Sequence, residues 1–220
     1  MEKELYGTRL HINSISLAHN IKYLKKQVPD TRIIAMVKAN AYGHGDVCMT
    51  KKMEELGIHY FGVADFEEGL RLRNSGIVSP IMVMNPGDKN IHTIIENNLE
   101  PVIYNDCILS SISRAIKTEK SIHQKEINVH IKINTGMNRW GFIFSEIPTL
   151  MSEIKKMKNI KIKSIYSHLS SAENPSDDFF TQSQIHIFNM ALELFQKNFN
   201  YQIDSHIFNS NALLRNLHQK

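Results

Sequence analysis

Four short stretches of this 220-residue chain place chemically capable side chains where apolar runs end. The first is Val37-Lys38-Ala39-Asn40-Ala41-Tyr42-Gly43-His44-Gly45, which follows the run Ile33-Ile34-Ala35-Met36. That run reads as a buried parallel strand. The carboxyl end of such a strand is where a parallel α/β sheet keeps its chemistry. Partial desolvation of Lys38 there would lower its pKa, as an imine-forming lysine requires. Tyr42 adds a phenol, and Gly43 and Gly45 let the backbone approach a ligand. On residues alone, a lysine snorkelling off a strand end accounts for Lys38 equally well.

The other three stretches repeat this arrangement. Thr135-Gly136-Met137-Asn138-Arg139-Trp140-Gly141 follows Val129-His130-Ile131-Lys132-Ile133. Glycines bracketing Arg139 suggest a loop that aims a guanidinium at an anion or an aromatic ring's oxygen; the plainer reading is a surface arginine in a turn. Ile165-Tyr166-Ser167-His168-Leu169-Ser170-Ser171 ends another run, and the chain has eleven histidines, so His168 by itself reads as a satisfied core residue. In Ser205-His206-Ile207-Phe208-Asn209-Ser210-Asn211-Ala212-Leu213-Leu214 a strand turns into a helix. Asn209 or Ser210 suits the N-cap, and a helix start also offers N–H groups to a phosphate. No histidine pair has ligand spacing with acidic partners, so no metal site is expected.

The elements that must hold these residues alternate along the chain. Strand-like runs cover 32–38, 58–64, 80–85, 100–104, 127–133, 160–167 and 205–208. Amphipathic stretches cover 16–27, 46–56, 66–75, 106–118, 147–157 and 181–197, and 10–15 reads as an extra strand outside the series. Such alternation predicts an α/β fold with a parallel sheet under covering helices. Seven strands are one short of a closed (β/α)8 barrel, and pattern alone also allows an open doubly wound sheet. With 42% hydrophobic and 22% charged residues, the composition is that of a globular protein. The net charge of +4 is modest, and its densest lysine group, Lys155 to Lys163, reads as a solvated face. No nucleic-acid partner and no membrane partner are expected. Cys48 and Cys107 are too few for a disulfide framework, and with no apolar signal core a cytoplasmic location is expected.

The Lys38–Gly45 segment resembles the cofactor-lysine motif of the alanine racemases, which use pyridoxal 5′-phosphate (PLP). The resemblance implies that Lys38 holds PLP covalently and that Tyr42 hydrogen-bonds its phosphate. Those enzymes carry a similar lysine, then Thr-Gly-Met, then an arginine. Arg139 is thereby implied to contact the PLP phenolic oxygen and the substrate carboxylate. Lys132 matches a lysine that many members carry carbamylated; an unmodified, structural lysine is the alternative. Asn134 stands where many relatives have aspartate, and Asn138 where many have glycine. His168 is implied to pack on the PLP ring, and Ser210 to bind the phosphate with Asn209 and His206 nearby.

The implied fold is the TIM-type (β/α)8 barrel of the family's N-terminal domain, here incomplete, with residues 1–220 as one PLP-binding barrel domain. The implied activity is interconversion of L- and D-alanine, supplying D-alanine for peptidoglycan by a homodimer. Lys38 would take the proton from D-alanine, while a tyrosine from the partner's C-terminal domain serves the opposite face. These 220 residues show no counterpart of that domain, so the chain is expected to be C-terminally incomplete, with its own activity in question. The alternative is a non-enzymatic PLP-binding protein of cofactor homeostasis.

Overall fold

The computed structural model describes residue 7 and residues 10–119, 121–122 and 125–217. Its centre is a seven-stranded, all-parallel sheet in the order β1 to β7: Ala35–Met36, Phe61–Val63, Ile81–Val83, Glu100–Ile103, Ile127–Lys132, Ile160–Tyr166 and Asp204–His206. Every strand pairs with its sequence neighbour, as successive β-α units dictate. The sheet curls, and an Arg32–Asp204 ion pair joins the segment before β1 to the start of β7. This is an incomplete TIM-type barrel rather than an open doubly wound sheet, whose strand order would reverse midway.

All seven expected strands form, most shorter than their apolar runs. The helices are α1 Ser14–Gln27, α2 Lys38–Tyr42, α3 Asp46–Glu55, α4 Phe66–Asn74, α5 Ile91–Glu96, α6 Asp106–Thr118, α7 Ile147–Lys155, α8 Asp178–Asn198 and α9 Ser210–Leu214. Residues 10–15 are not a strand. Asn13 instead caps α1, its side-chain oxygen accepting from Ile15 N and Ser16 N. The sequence reading passed over α5, whose six residues span too little periodicity to register.

Strand alternation sorts side chains into two cores. Facing out toward the helices lies the large apolar cluster that includes Phe61, Val63, Ile81, Val83, Ile103 and Ile131. Facing in are Tyr60, Met82, Val102 and Tyr166. Gly62 shares the inward set, because a Cβ there would lie 2.5 Å from Met36 Sδ.

The interior is also polar, since Glu100, His130, Ser164 and His206 fall on the same alternation. Tyr60 Oη donates to Glu100 Oε2, and His130 Nε2 lies 3.0 Å from the same oxygen. His130 Nδ1 is 2.7 Å from Ser164 Oγ, which is 3.2 Å from His206 Nε2. The His206 ring stacks on Tyr166 at 4.9 Å. Burial alone would raise the Glu100 carboxyl; the hydrogen bonds and charge of His130, with the Tyr60 hydroxyl, outweigh it and hold it below its ordinary value. Burial and the Glu100 charge push the Tyr60 phenol upward.

Candidate functional site

Every residue singled out in the sequence falls at the carboxyl end of a strand or just beyond it. Lys38 follows β1 by one residue, and Lys132 closes β5 with Arg139 in the loop after it. His168 lies two residues past β6. Asn209 caps α9 after β7, and Ser210 opens that helix. Parallel strands therefore bring residues up to 172 positions apart onto one rim.

The backbone after Lys38 is the most unusual in the chain. Ala39, Asn40 and Ala41 have φ of 52°, 54° and 50° with ψ near 48°, and Tyr42 has φ 54°, so α2 is one turn wound left-handed. None of the four is glycine; Ala39, Ala41 and Tyr42 each cost about 1–2 kcal/mol in this region, which Asn40 tolerates better. Tertiary bonds hold the turn. Glu68, from α4, accepts from Ala39 N at 2.6 Å and from Ala64 N at 2.7 Å, tying the turn to the end of β2. Asn40 Oδ1 accepts from Asp46 N at 3.0 Å, and Arg71 pairs with Asp46 at 2.7 Å. The left-handed winding leaves Tyr42 61% exposed at the rim.

After β5 the chain makes a second fixed loop. Asn134 Oδ1 accepts from both Gly136 N and Asn138 N at 3.1 Å. An aspartate would accept the same two bonds, but the Asn134 amide also donates to Asn138 Oδ1 at 3.1 Å. Asn138 has φ 55°, a conformation that glycine adopts without strain and asparagine tolerates. Gly141 is required at φ 116°, where a Cβ would lie 2.8 Å from Asn134 N.

Lys132 is 7% exposed, and its Nζ has no hydrogen-bond partner among the described residues. The amine lies 4.5 Å from the centre of the Tyr166 ring. Burial, then the charges of Arg139 and Lys38, bring its pKa down to about 8. Burial followed by Lys132, Arg139 and Lys38 also lowers His168, so this imidazole is neutral at pH 7. Neither Lys38 nor Arg139 has an ion pair among the described residues. Three cationic side chains thus share a rim with no carboxylate paired to them, an arrangement suited to an anion-rich ligand.

Asn209 Nδ2 donates to Leu169 O beside His168, and its Oδ1 caps α9 through Ala212 N at 3.0 Å. Ser210 is exposed at the helix start. Tyr42, Asn209 and Ser210 share the rim but make no hydrogen bond to Lys38, Lys132 or Arg139 among the described residues. His206 lies inside the barrel instead, where burial and then the charges of His130 and Lys132 bring its pKa down to about 3.

Two positioning groups escaped the sequence reading. Glu68 is one, and its distance of thirty residues from Lys38 left no local signal. Gln184 of α8 is the other. It is fully buried, and it donates to Thr135 Oγ1 at 3.2 Å and His168 O at 3.0 Å while accepting from Ser170 N at 3.0 Å. It therefore joins the Arg139 loop to the His168 loop. Away from the rim, a cleft of about 350 Å³ lined by Arg73, Glu100 and Lys125 opens at the other end of β3–β5. Arg73 is spent there on the carbonyls of Asn97, Ile77, Ser79 and Asn98.

Residues 12–220 match the family model described as alanine racemase, N-terminal domain. An alanine racemase from Geobacter sp. (strain M21) is 32% identical over 216 residues, covering 94% of this chain and 55% of that protein. One from Thermodesulfovibrio yellowstonii is 38% identical over 206 residues, covering 92% and 54%. The crystal structure of alanine racemase from Corynebacterium glutamicum superposes with a TM-score of 0.82 at 28% identity, covering 92% of this chain and 57% of that one. The chain spans about half the length of the relatives it matches.

Proposed function

Because the chain belongs to the alanine racemase N-terminal domain family, we propose that residues 1–220 form a PLP-binding unit acting in the interconversion of L- and D-alanine. The observation that carries this reading is the cation cluster of Lys38, Lys132 and Arg139 around a neutral His168, with no carboxylate paired to it among the described residues. PLP brings a phosphate, a phenolate and a ring, which match those cations, the α9 start and the imidazole. When bound, PLP supplies the electron sink that makes an amino acid's Cα–H removable.

The chain's own residues then divide the work. Lys38 would hold the cofactor covalently, and its free amine would take the Cα proton of D-alanine on its own face. Arg139 engages the phenolic oxygen and the substrate carboxylate. Tyr42, Asn209 and Ser210 serve the phosphate, while His168 packs on the ring. The orphaned Lys132 amine, with its pKa near 8, suits reaction with CO2. Its nitrogen would bond to carbon and release a proton, leaving a carbamate anion beside Arg139. A carbonyl-region NMR signal with ¹³C-bicarbonate, absent in Lys132→Met, checks that modification.

A cytoplasmic homodimer that supplies D-alanine for peptidoglycan completes the reading. Among the described residues no helix is long and apolar enough to cross a membrane. The test is PLP titration by visible absorbance, followed by NMR of Cα–deuterium exchange in L- and D-alanine. The expected result is a borohydride-reducible PLP adduct lost in Lys38→Ala, with exchange into D-alanine. Adduct formation without any exchange would favour a non-enzymatic PLP-binding protein. An adduct that survives Lys38→Ala would overturn the lysine assignment.

A further inference from the structure

Arg139 sits on a rigid loop, yet its side chain has no ion pair or hydrogen bond among the described residues. Fixing the backbone does not fix a guanidinium, which has several rotatable bonds of its own. Among the described residues the one partner of Arg139 is the neighbouring Trp140, whose ring centre lies 5.9 Å from Cζ. That indole is 43% exposed, and burial does not explain its place. A stack does: the Tyr104 ring lies 4.9 Å away at an interplanar angle of 17°. Tyr104 is fixed in turn, its hydroxyl donating to Asn85 Oδ1 at 2.9 Å. Asn85, Tyr104 and Trp140 follow β3, β4 and β5, so three successive strand ends each contribute one member.

We propose that Asn85, Tyr104 and Trp140 form an aromatic brace that orients Arg139 toward the anionic groups of the bound ligand. Trp140 is the positioning residue. The proposal rests on the anion-binding role given to Arg139 above. A guanidinium gains from the face of an indole, and an indole locked by its own stack offers that face in one direction. The brace therefore places the cation before substrate arrives and reduces the ordering cost of binding.

The test uses the full 220-residue chain. In PLP-loaded protein, alanine binding is read from the change in visible absorbance. Trp140→Leu and Tyr104→Leu are each expected to weaken it about two- to five-fold, the size of an exposed cation–π contact. Trp140→Phe, which keeps a ring, is expected to restore most of the affinity. In an Arg139→Ala background Trp140→Leu is expected to add no further loss. Wild-type affinity in Trp140→Leu, or the same loss with and without Arg139, would overturn the brace.

PLP-free protein gives a separate readout, because Trp140 is the only tryptophan. Its emission is expected to shift to the red in Tyr104→Leu and to change in Arg139→Ala. Unchanged emission in Arg139→Ala would overturn the contact itself, whether or not PLP binds. Should Tyr104→Leu not fold, Asn85→Ala releases the Tyr104 hydroxyl, and the same red shift is expected. If Arg139→Ala alone leaves alanine binding intact, the anion-binding role fails, and with it the purpose of the brace.

Discussion

Two sets of polar side chains, most of them buried, lie inside this barrel, one toward the rim and one deeper, and they are built on opposite terms. In the lower group, Tyr60, Glu100, His130, Ser164 and His206 form an unbroken series of hydrogen bonds. In the upper one, among the described residues, Lys132 Nζ has only the face of Tyr166. A complete network gives the interior a unique arrangement and leaves nothing to react. A buried ammonium without a carboxylate costs free energy and stays ready for an anion or an electrophile. On the proposed function, the incomplete cluster belongs to the working end of the barrel, and the complete one to its scaffold.

The contrast breaks most severely at Glu100. Glu100→Ala leaves His130 and Tyr60 buried without their shared acceptor and should cost about 3–5 kcal/mol in urea unfolding. In the wild type the same carboxyl is held below its ordinary value. Its contribution is therefore present above the unfolded pKa and is lost as pH falls through the folded one. The acid limb of the stability profile should flatten in Glu100→Gln.

Glu68→Ala should cost less, about 2–3 kcal/mol, because it strands the Ala39 and Ala64 amides rather than a charge network. Its sharper signature is expected in the cofactor. The left-handed turn should relax and the visible PLP adduct at Lys38 should weaken by more than the stability loss explains. Equal, small losses in both would make Glu68 merely structural.

The smallest effect has the opposite sign. Lys132→Met should stabilise the CO2-free protein by about 1–2 kcal/mol at pH 7, because it removes an unpaired buried charge. The folded pKa of about 8 lies below the ordinary 10.5. Wild-type stability should therefore rise between pH 8 and pH 10.5 as the unfolded chain holds the extra proton, and the advantage of Lys132→Met should vanish over that window. A pH-independent advantage would show that Lys132 is not buried as a cation.

Much of the fold was legible because it is written locally. Seven apolar runs alternating with amphipathic stretches marked all seven strands, and β5 and β6 ran nearly to their expected ends. What misled was local too: residues 10–15 alternate like a strand, but Asn13 caps a helix within them. The interior network left a trace that periodicity alone did not weigh, since Glu100 and His130 interrupt apolar strands at inward positions. Lys38, Lys132, Arg139 and His168 stood out because each follows or ends an apolar run. Glu68 and Gln184 did not, because what they hold lies on other β-α units.

The sequence by itself determined the seven strand segments, the rim on which chemistry would gather, and the family that the motif around Lys38 resembles. Those follow from periodicity and from residue types in fixed local order. Only the tertiary structure decided that four non-glycine residues after Lys38 wind left-handed, that Lys132 Nζ has no hydrogen-bond partner among the described residues, and that Trp140 stands between Tyr104 and Arg139. Each of these depends on atoms contributed by different strands or helices, and side-chain geometry across a barrel is fixed by packing rather than by neighbours in the chain.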